Sequence, residues 1–268
     1  MSDLAAIFRS LHQGPTLLRL ANAWDAGSAR LIESVGAPAI ATTSAGVAWA
    51  EGYPDGDALP VKALAAVVAT ITRVIRVPLS VDFEGGYSHE PAGAAENIAP
   101  LLDAGAVGIN IEDGTAPPEL LCSKIEAIKR VAAAKGIDLY INARTDVYLQ
   151  GLVPEAERLA ETKRRAALYR EAGADGIFAP AVIDPATIRA IAEATPLPLN
   201  VLARKGLPPA AELAPLGVRR LSAGSGICQA LWGRAAALAR GFLTDGASDP
   251  LAEGAMIYPE INALFQGR

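Results

Sequence analysis

Apolar and polar positions along the chain follow two alternating rhythms. Short β-branched or apolar runs stand at residues 17–21, 39–43, 79–83, 107–111, 139–143, 176–179, 199–202 and 219–222, and each is followed by an Ala-rich stretch with charges at helical spacing. The first rhythm suits buried strands and the second amphipathic helices, so the chain reads as repeated βα units. The predicted helices span residues 27–35, 61–75, 92–104, 119–134, 155–172, 185–194, 209–214 and 227–243. Gly105, Gly173 and Gly217 stand where a helix must stop before the next strand, as left-handed C-terminal caps do. Eight units predict an α/β chain folded as a single (β/α)8 TIM barrel, and 268 residues match its usual size. A doubly wound open sheet is the alternative, but the first strand lacks the Gly-rich turn of a dinucleotide site. Residues 246–268 follow as a C-terminal helical extension, whose tail at 256–265 packs on its own barrel or is swapped onto a partner chain.

Composition narrows the function. Apolar residues make up 51% of the chain, yet no apolar run approaches the ~20 residues that cross a bilayer. The N-terminus lacks the basic start and cleavage site of a secretory signal, so a soluble cytoplasmic protein without a membrane partner is expected. The net charge is −5, and the basic residues are scattered instead of forming a stripe, which argues against nucleic acid as a partner. Cys122 and Cys228 are the only cysteines, too few for a disulfide framework or a zinc site, and both read as structural residues.

Strand parity then gathers charge in one place. Ser80, Asp82 and Glu84 share one face of the third strand, Asn110 and Glu112 one face of the fourth, and Asn142, Arg144 and Asp146 one face of the fifth. Barrel enzymes keep their chemistry at the C-terminal strand ends, where these residues fall. Several carboxylates against one arginine are costly to bury unless a cation joins them. Oxygen ligands with almost no histidine select Mg²⁺, with Mn²⁺ as the alternative, over zinc. Other chemistries find no residues: only Lys205 comes near a Schiff-base position, and His12 and His89 read as surface residues. The turn Ser222-Ala223-Gly224-Ser225-Gly226 reads as a connector, with a phosphate cradle as the lesser alternative. Asn22 and Asp25 read as caps of the first helix, Asp146 as the group that orients Arg144, and Trp24 and Trp232 as packing residues.

Five segments in order, each at a predicted strand end, carry a resemblance: Asn22-Ala23-Trp24-Asp25-Ala26-Gly27, Thr43-Ser44-Ala45-Gly46-Val47, Val81-Asp82-Phe83-Glu84-Gly85-Gly86-Tyr87, Asn110-Ile111-Glu112-Asp113-Gly114 and Asn142-Ala143-Arg144-Thr145-Asp146. Through them the chain resembles the isocitrate lyase and phosphoenolpyruvate mutase superfamily over almost its whole length. The resemblance implies that Asp82 binds Mg²⁺ while Asp55, Glu84 and Glu112 hold its waters, with Asp57 as a substitute for Asp55. It further implies that Arg144 clasps the carboxylate of a small 2-oxo or 2-hydroxy acid. Ser44 and the Gly46 and Val47 amides would receive the remainder, with Asn200 lining the pocket; Trp49, which follows this loop, reads as a packing residue with covering the site as the alternative. The implied activity is metal-dependent carbon–carbon cleavage of the isocitrate or 2-methylisocitrate lyase kind, or oxaloacetate decarboxylation, through an enolate. Carbon–phosphorus chemistry on phosphonopyruvate is one alternative, and a non-catalytic 2-oxo-acid-binding barrel is another. The loop after Glu112 departs from both better-known branches: it lacks the lyase Lys-Arg-Cys-Gly-His motif, and Cys122 falls too late to replace its cysteine. A shortened gating loop follows. The family's homotetramers of barrels that exchange a last helix imply a homo-oligomer here.

Overall fold

The computed structural model describes residues 2–266. After α1 (Ser2–Leu11), strands β1 (Leu18–Leu20) and β2 (Asn22–Ala23) lead into α2 (Ala26–Ser34), β3 (Ile40–Thr42), α3 (Ser44–Ala50), α4 (Val61–Val74) and β4 (Leu79–Asp82). The alternation continues through α5 (Pro91–Asp103), β5 (Gly108–Glu112), α6 (Pro118–Ala134), β6 (Tyr140–Arg144), α7 (Arg158–Glu171), β7 (Gly176–Phe178), α8 (Pro185–Ala192) and β8 (Leu199–Leu202). It ends with α9 (Ala210–Leu213), β9 (Val218–Ser222), α10 (Gly226–Asp245), α11 (Asp249–Ala252) and α12 (Tyr258–Ala263). All neighbouring strands pair in parallel, and the order β1-β9-β8-β7-β6-β5-β4-β3-β2 has at its two ends the halves of one strand, broken at Ala21. The sheet therefore closes on itself as a (β/α)8 barrel. Helices α1 and α3 are additions to the eight predicted units.

The outward face of the strands and the inner face of the helices make the main core. Val81, Phe83, Ile109, Ile111, Ile141 and Ile177 pack under Leu64, Val68, Ile71, Ile98, Leu101, Ile125 and Ile188. Each such side chain contributes about 1.5–3 kcal/mol of burial. A second apolar cluster fills the lower barrel, where Phe8 of α1 plugs the opening against Leu18, Leu20, Ala39, Ala41 and Tyr140. Gly108 is required here, since a Cβ would lie 2.6 Å from the Phe8 ring. His12 is corrected from a surface residue to a buried one: its Nδ1 bonds the Phe8 carbonyl at 2.8 Å and its ring stacks on Tyr140 at 4.1 Å. The reading by βα units begins at residue 17 and leaves out α1, and without α1 a histidine before the first strand has nothing to pack on.

The C-terminal segment behaves differently from the wall. Cys228 is buried, but beyond it α10 is exposed almost throughout, including Leu231, Trp232, Phe242 and Leu243. Trp232 is thus corrected from a packing residue to a half-exposed one. The tail returns to its own barrel, where Arg30 Nε donates to the Leu264 carbonyl at 2.8 Å. Among the described residues no helix is long and apolar enough to cross a membrane.

Candidate active site

The C-terminal ends of the strands open into a cleft of about 140 Å³ walled by Asn22, Thr43, Ser44, Ala45, Asp55, Asp82, Asn110 and Arg144 on its polar side. Leu149, Phe178, Pro180 and Leu202 form an apolar side, and Ser222, Gly224 and Ser225 enter from the turn before α10. Inward parity on β4, β5 and β6 delivers Asp82, Asn110 and Arg144 to one mouth, as adjacent in-register strands require: Asp82 lies beside Asn110, and Glu112 beside Arg144.

Asp82 has one oxygen fixed and one free. Its Oδ2 accepts from the Ser44 amide at 3.1 Å, and its own amide donates to Thr42 Oγ1 at 2.8 Å. Its Oδ1 is buried with no partner. A partnerless buried carboxylate oxygen is a costly arrangement in protein alone, and a cation removes the cost. Among the described residues no three His, Cys, Asp or Glu side chains converge on one point. That fits a hard ion held by few side chains and keeping most of its waters, as Mg²⁺ does.

Glu84 sits just beyond β4 in a left-handed conformation, φ 48°, and Asp57, facing it, has φ 55°. The Glu84 carboxylate accepts from the Tyr87 hydroxyl at 2.6 Å and, through a very short bond, from the Asp57 amide. Burial raises the pKa of both Glu84 and Asp57. This contact separates two candidates that sequence left open: Asp55 faces the cleft, while Asp57 pins the loop to Glu84.

Arg144 is held on three sides. Its Nε and Nη2 grip Asp146 at 2.7 and 2.9 Å, and its Nη1 lies 2.5 Å from Glu112. Burial opposes the charge, but Glu112 and Asp146 more than offset this and raise the guanidinium pKa further. Glu112 is pushed up to about 8 by burial, with Arg144 working against the rise and Asp82, Asp146 and Glu84 adding to it. Asp113 turns outward, as its parity requires, onto Arg165 and Tyr169 of α7.

Other expectations for the mouth change. Ser44 lines the cleft, and Ala45 joins it. Val47 is corrected, because its amide already donates to the Thr43 carbonyl at 3.0 Å inside α3. Gly46 packs away from the cleft against Thr43 and Trp24, where a Cβ would come within 2.7 Å of Thr43 Cγ2. The turn expected to cradle substrate is the start of a helix, so the Val47 amide is bonded within it while the Gly46 amide, in the first turn, stays free. Trp49 is likewise corrected, since it lies outside the cleft wall with its ring 6.2 Å from Trp232. Asn200 is fully buried below the floor, accepting from Ser222 Oγ at 3.1 Å. Asn22 caps no helix; it bridges the Thr42 carbonyl and the Gly224 amide across the mouth, whereas Asp25 does cap α2. The β5–α6 connection is only residues 113–117, the short loop expected, and Cys122 lies inside α6 away from the cleft.

Comparison with known proteins gives a consistent picture. The sequence pattern of the family described as phosphoenolpyruvate phosphomutase matches residues 8–243. An uncharacterized protein of Mycobacterium tuberculosis is 38% identical over 222 residues, covering 81% of each chain. A 2-methylisocitrate lyase of Bacillus subtilis is 30% identical over 210 residues, covering 74% of this chain and 66% of its own. Among solved structures, a Burkholderia cenocepacia protein described broadly as a lyase/mutase superposes with TM-score 0.90 at 34% identity, over 99% of this chain and 96% of its own. A phosphonopyruvate hydrolase complexed with oxalate and Mg²⁺ shares the fold at TM-score 0.84 and 23% identity, over 97% of this chain and 94% of its own.

Proposed function

The chain belongs to the phosphoenolpyruvate phosphomutase family, within the isocitrate lyase and phosphoenolpyruvate mutase superfamily, and from that premise we propose that it is a Mg²⁺-dependent lyase. It cleaves a carbon–carbon bond next to a small 2-oxo or 2-hydroxy di- or tricarboxylic acid. The observation that carries this reading is Asp82 Oδ1, buried at the cleft without a partner beside the three-sided Arg144 cluster. Asp82 would hold the metal directly, with Asp55, Glu84 and Glu112 around its waters. Mn²⁺ suits the same oxygen set.

The bound cation supplies Lewis acidity at the oxo or hydroxyl oxygen of the acid. Arg144 pairs with the carboxylate and, being braced by Asp146, loses little freedom in doing so. Asp55, on the cleft wall, takes the hydroxyl proton as the bond to the leaving half breaks. The O–H electron pair becomes the carbonyl of the retained 2-oxo acid beside Arg144, and the carbon–carbon pair leaves with the other half as its enolate, which takes up a proton from water; in oxaloacetate, which has no such hydroxyl, the pair passes instead into the enolate of the retained acid, where Arg144 and the free Ala45 amide on the cleft wall face the growing charge. Ser44 is not free in the same way, because its amide already holds Asp82.

The exposed face of α10 suits a homo-oligomer in which this helix, more than the tail, covers a neighbouring barrel. Leu231, Trp232 and Phe242 stand about half exposed along one element, an arrangement more common at subunit contacts than on a solvated helix.

The deciding experiment offers isocitrate, 2-methylisocitrate, dimethylmalate, oxaloacetate and phosphonopyruvate, with Mg²⁺ and with a chelator, and follows pyruvate, glyoxylate and phosphate. A chelator-sensitive 2-oxo acid from one of the carbon acids supports the lyase reading. Phosphate from phosphonopyruvate alone replaces it with carbon–phosphorus chemistry. Turnover that survives the chelator or the Asp82→Ala substitution ends the metal-dependent reading.

A further inference from the structure

We propose that Asn110 is an oriented hydrogen-bond donor to the anionic head of the bound acid, and that the buried Arg220, below the cleft, is the positioning residue that fixes it. The inference rests on the 2-oxo-acid reading above and adds a second recognition group to Arg144.

Arg220 is out of place in an ordinary barrel interior, whose layers are filled with branched apolar side chains. It is 1% exposed, and it pairs with no carboxylate among the described residues. Its Nη2 donates to Asn110 Oδ1 at 3.1 Å, its Nε reaches Ser222 Oγ at 3.4 Å, and its Nη1 has no partner. A cation buried with so little compensation is expensive, and such groups are retained at functional sites more readily than elsewhere.

What Arg220 does is visible in the amide it touches. Asn110 Oδ1 accepts twice, from Arg220 Nη2 and from Asn142 Nδ2 at 2.9 Å. A flipped amide would set its NH₂ group against both of these donors, so the network admits a single orientation. In that orientation the Asn110 Nδ2 has no partner in the protein, is not among the buried partnerless atoms, and belongs to a side chain on the cleft wall. It therefore presents N–H to the cleft, with Asp82 on the neighbouring strand to one side and Arg144 on the neighbouring strand to the other. The guanidinium behind the carbonyl polarises the amide and strengthens its N–H as a donor. The acid is thus gripped by Arg144 from one strand and by Asn110 from the next, while the charge of Arg220 stays out of direct contact.

The test is oxalate binding by titration calorimetry in the presence of Mg²⁺, oxalate being a planar dianion of the shape of a 2-oxo-acid enolate. Asn110→Asp keeps both acceptor contacts below and turns a carboxylate oxygen toward the cleft; it is expected to weaken oxalate by about 100-fold. Asn110→Ser, which only removes the donor, is expected to cost about tenfold, with Mn²⁺ affinity in the absence of oxalate held within about threefold. Arg220→Met, scored only if its melting transition remains cooperative, is expected to fall near Asn110→Ser. A purely structural Asn110 would shift melting and leave the ratio of oxalate to metal affinity untouched. If both Asn110 variants bind oxalate within about threefold of wild type, the inference is overturned while the 2-oxo-acid reading stands. If the wild-type protein itself binds no oxalate with Mg²⁺, the underlying reading fails and takes the inference with it.

Discussion

Neutralising Asp113 tests how the outside of the barrel holds the guanidinium in its mouth. Asp113 follows Glu112 and points into the layer between sheet and α7, where Oδ1 accepts from the Asp146 amide at 2.9 Å. Its Oδ2 accepts from Arg165 Nη1 at 2.7 Å and from the Tyr169 hydroxyl at 2.5 Å. Asp146 in turn clasps Arg144, so the backbone that carries the clasp is anchored from behind. In Asp113→Asn the shape persists, but one oxygen becomes a donor and must face a donor on one side or the other. Removing one member of a buried pair costs about 3–5 kcal/mol, and Arg165 keeps Glu161 at 2.7 Å, so a loss of about 3 kcal/mol is expected. For a chain of this length that is a fall of about 6–12 °C in melting temperature. Tyr169→Phe, which removes one bond to the same carboxylate, should cost about half as much. Calorimetric melting measures both, and substrate kinetics should show KM rising more than kcat falls. A melting temperature for Asp113→Asn within about 2 °C of wild type, less than 1 kcal/mol on the same scale, would refute the anchoring argument.

Other consequences are equally direct. Burial and the neighbouring carboxylates put the folded-state pKa of Glu112 at about 8, above its ordinary 4.5, so metal-free protein should lose stability as pH rises from 4.5 to 8, and Mg²⁺ should stabilise more at pH 8 than at pH 6 in thermal melts. Burial lowers His12 to about 3 from its ordinary 6.5, so the unfolded chain takes up a proton first and stability should fall as pH drops from 6.5 to 3, by up to about 5 kcal/mol; urea titrations of His12→Phe should show a flatter acid limb. Asp146→Asn should raise the KM of a turned-over 2-oxo acid about tenfold or more, since Arg144 loses its bidentate brace; steady-state kinetics at saturating Mg²⁺ decide it. Trp232→Glu on the exposed face of α10 should shift the protein toward monomer in light scattering, and an unchanged mass would count against helix exchange.

The sequence carried the barrel and its charged mouth because both depend on periodicity. Eight apolar runs at regular spacing close a sheet whatever the detail of each turn, and alternation along β4, β5 and β6 puts Asp82, Glu112 and Arg144 on one side by geometry alone. What stayed hidden depends on contacts between distant segments. The Asp57 amide meets Glu84 because two left-handed residues on separate loops face one another, and no spacing rule encodes that. His12 looked exposed because the plug formed by α1 is decided at Phe8 and Gly108, one hundred residues apart in sequence, where only a glycine leaves room for the ring. Arg220 is the sharpest case. In β9 the burial pattern alternates, and Arg220 falls on the buried side while Arg219 does not. Parity along this strand turns Arg220 inward with Val218 and Ser222. The rule that located the carboxylates therefore also locates the cation beneath them, and a charged residue on the inward face of a barrel strand is worth more as a functional signal than as an exception to the pattern.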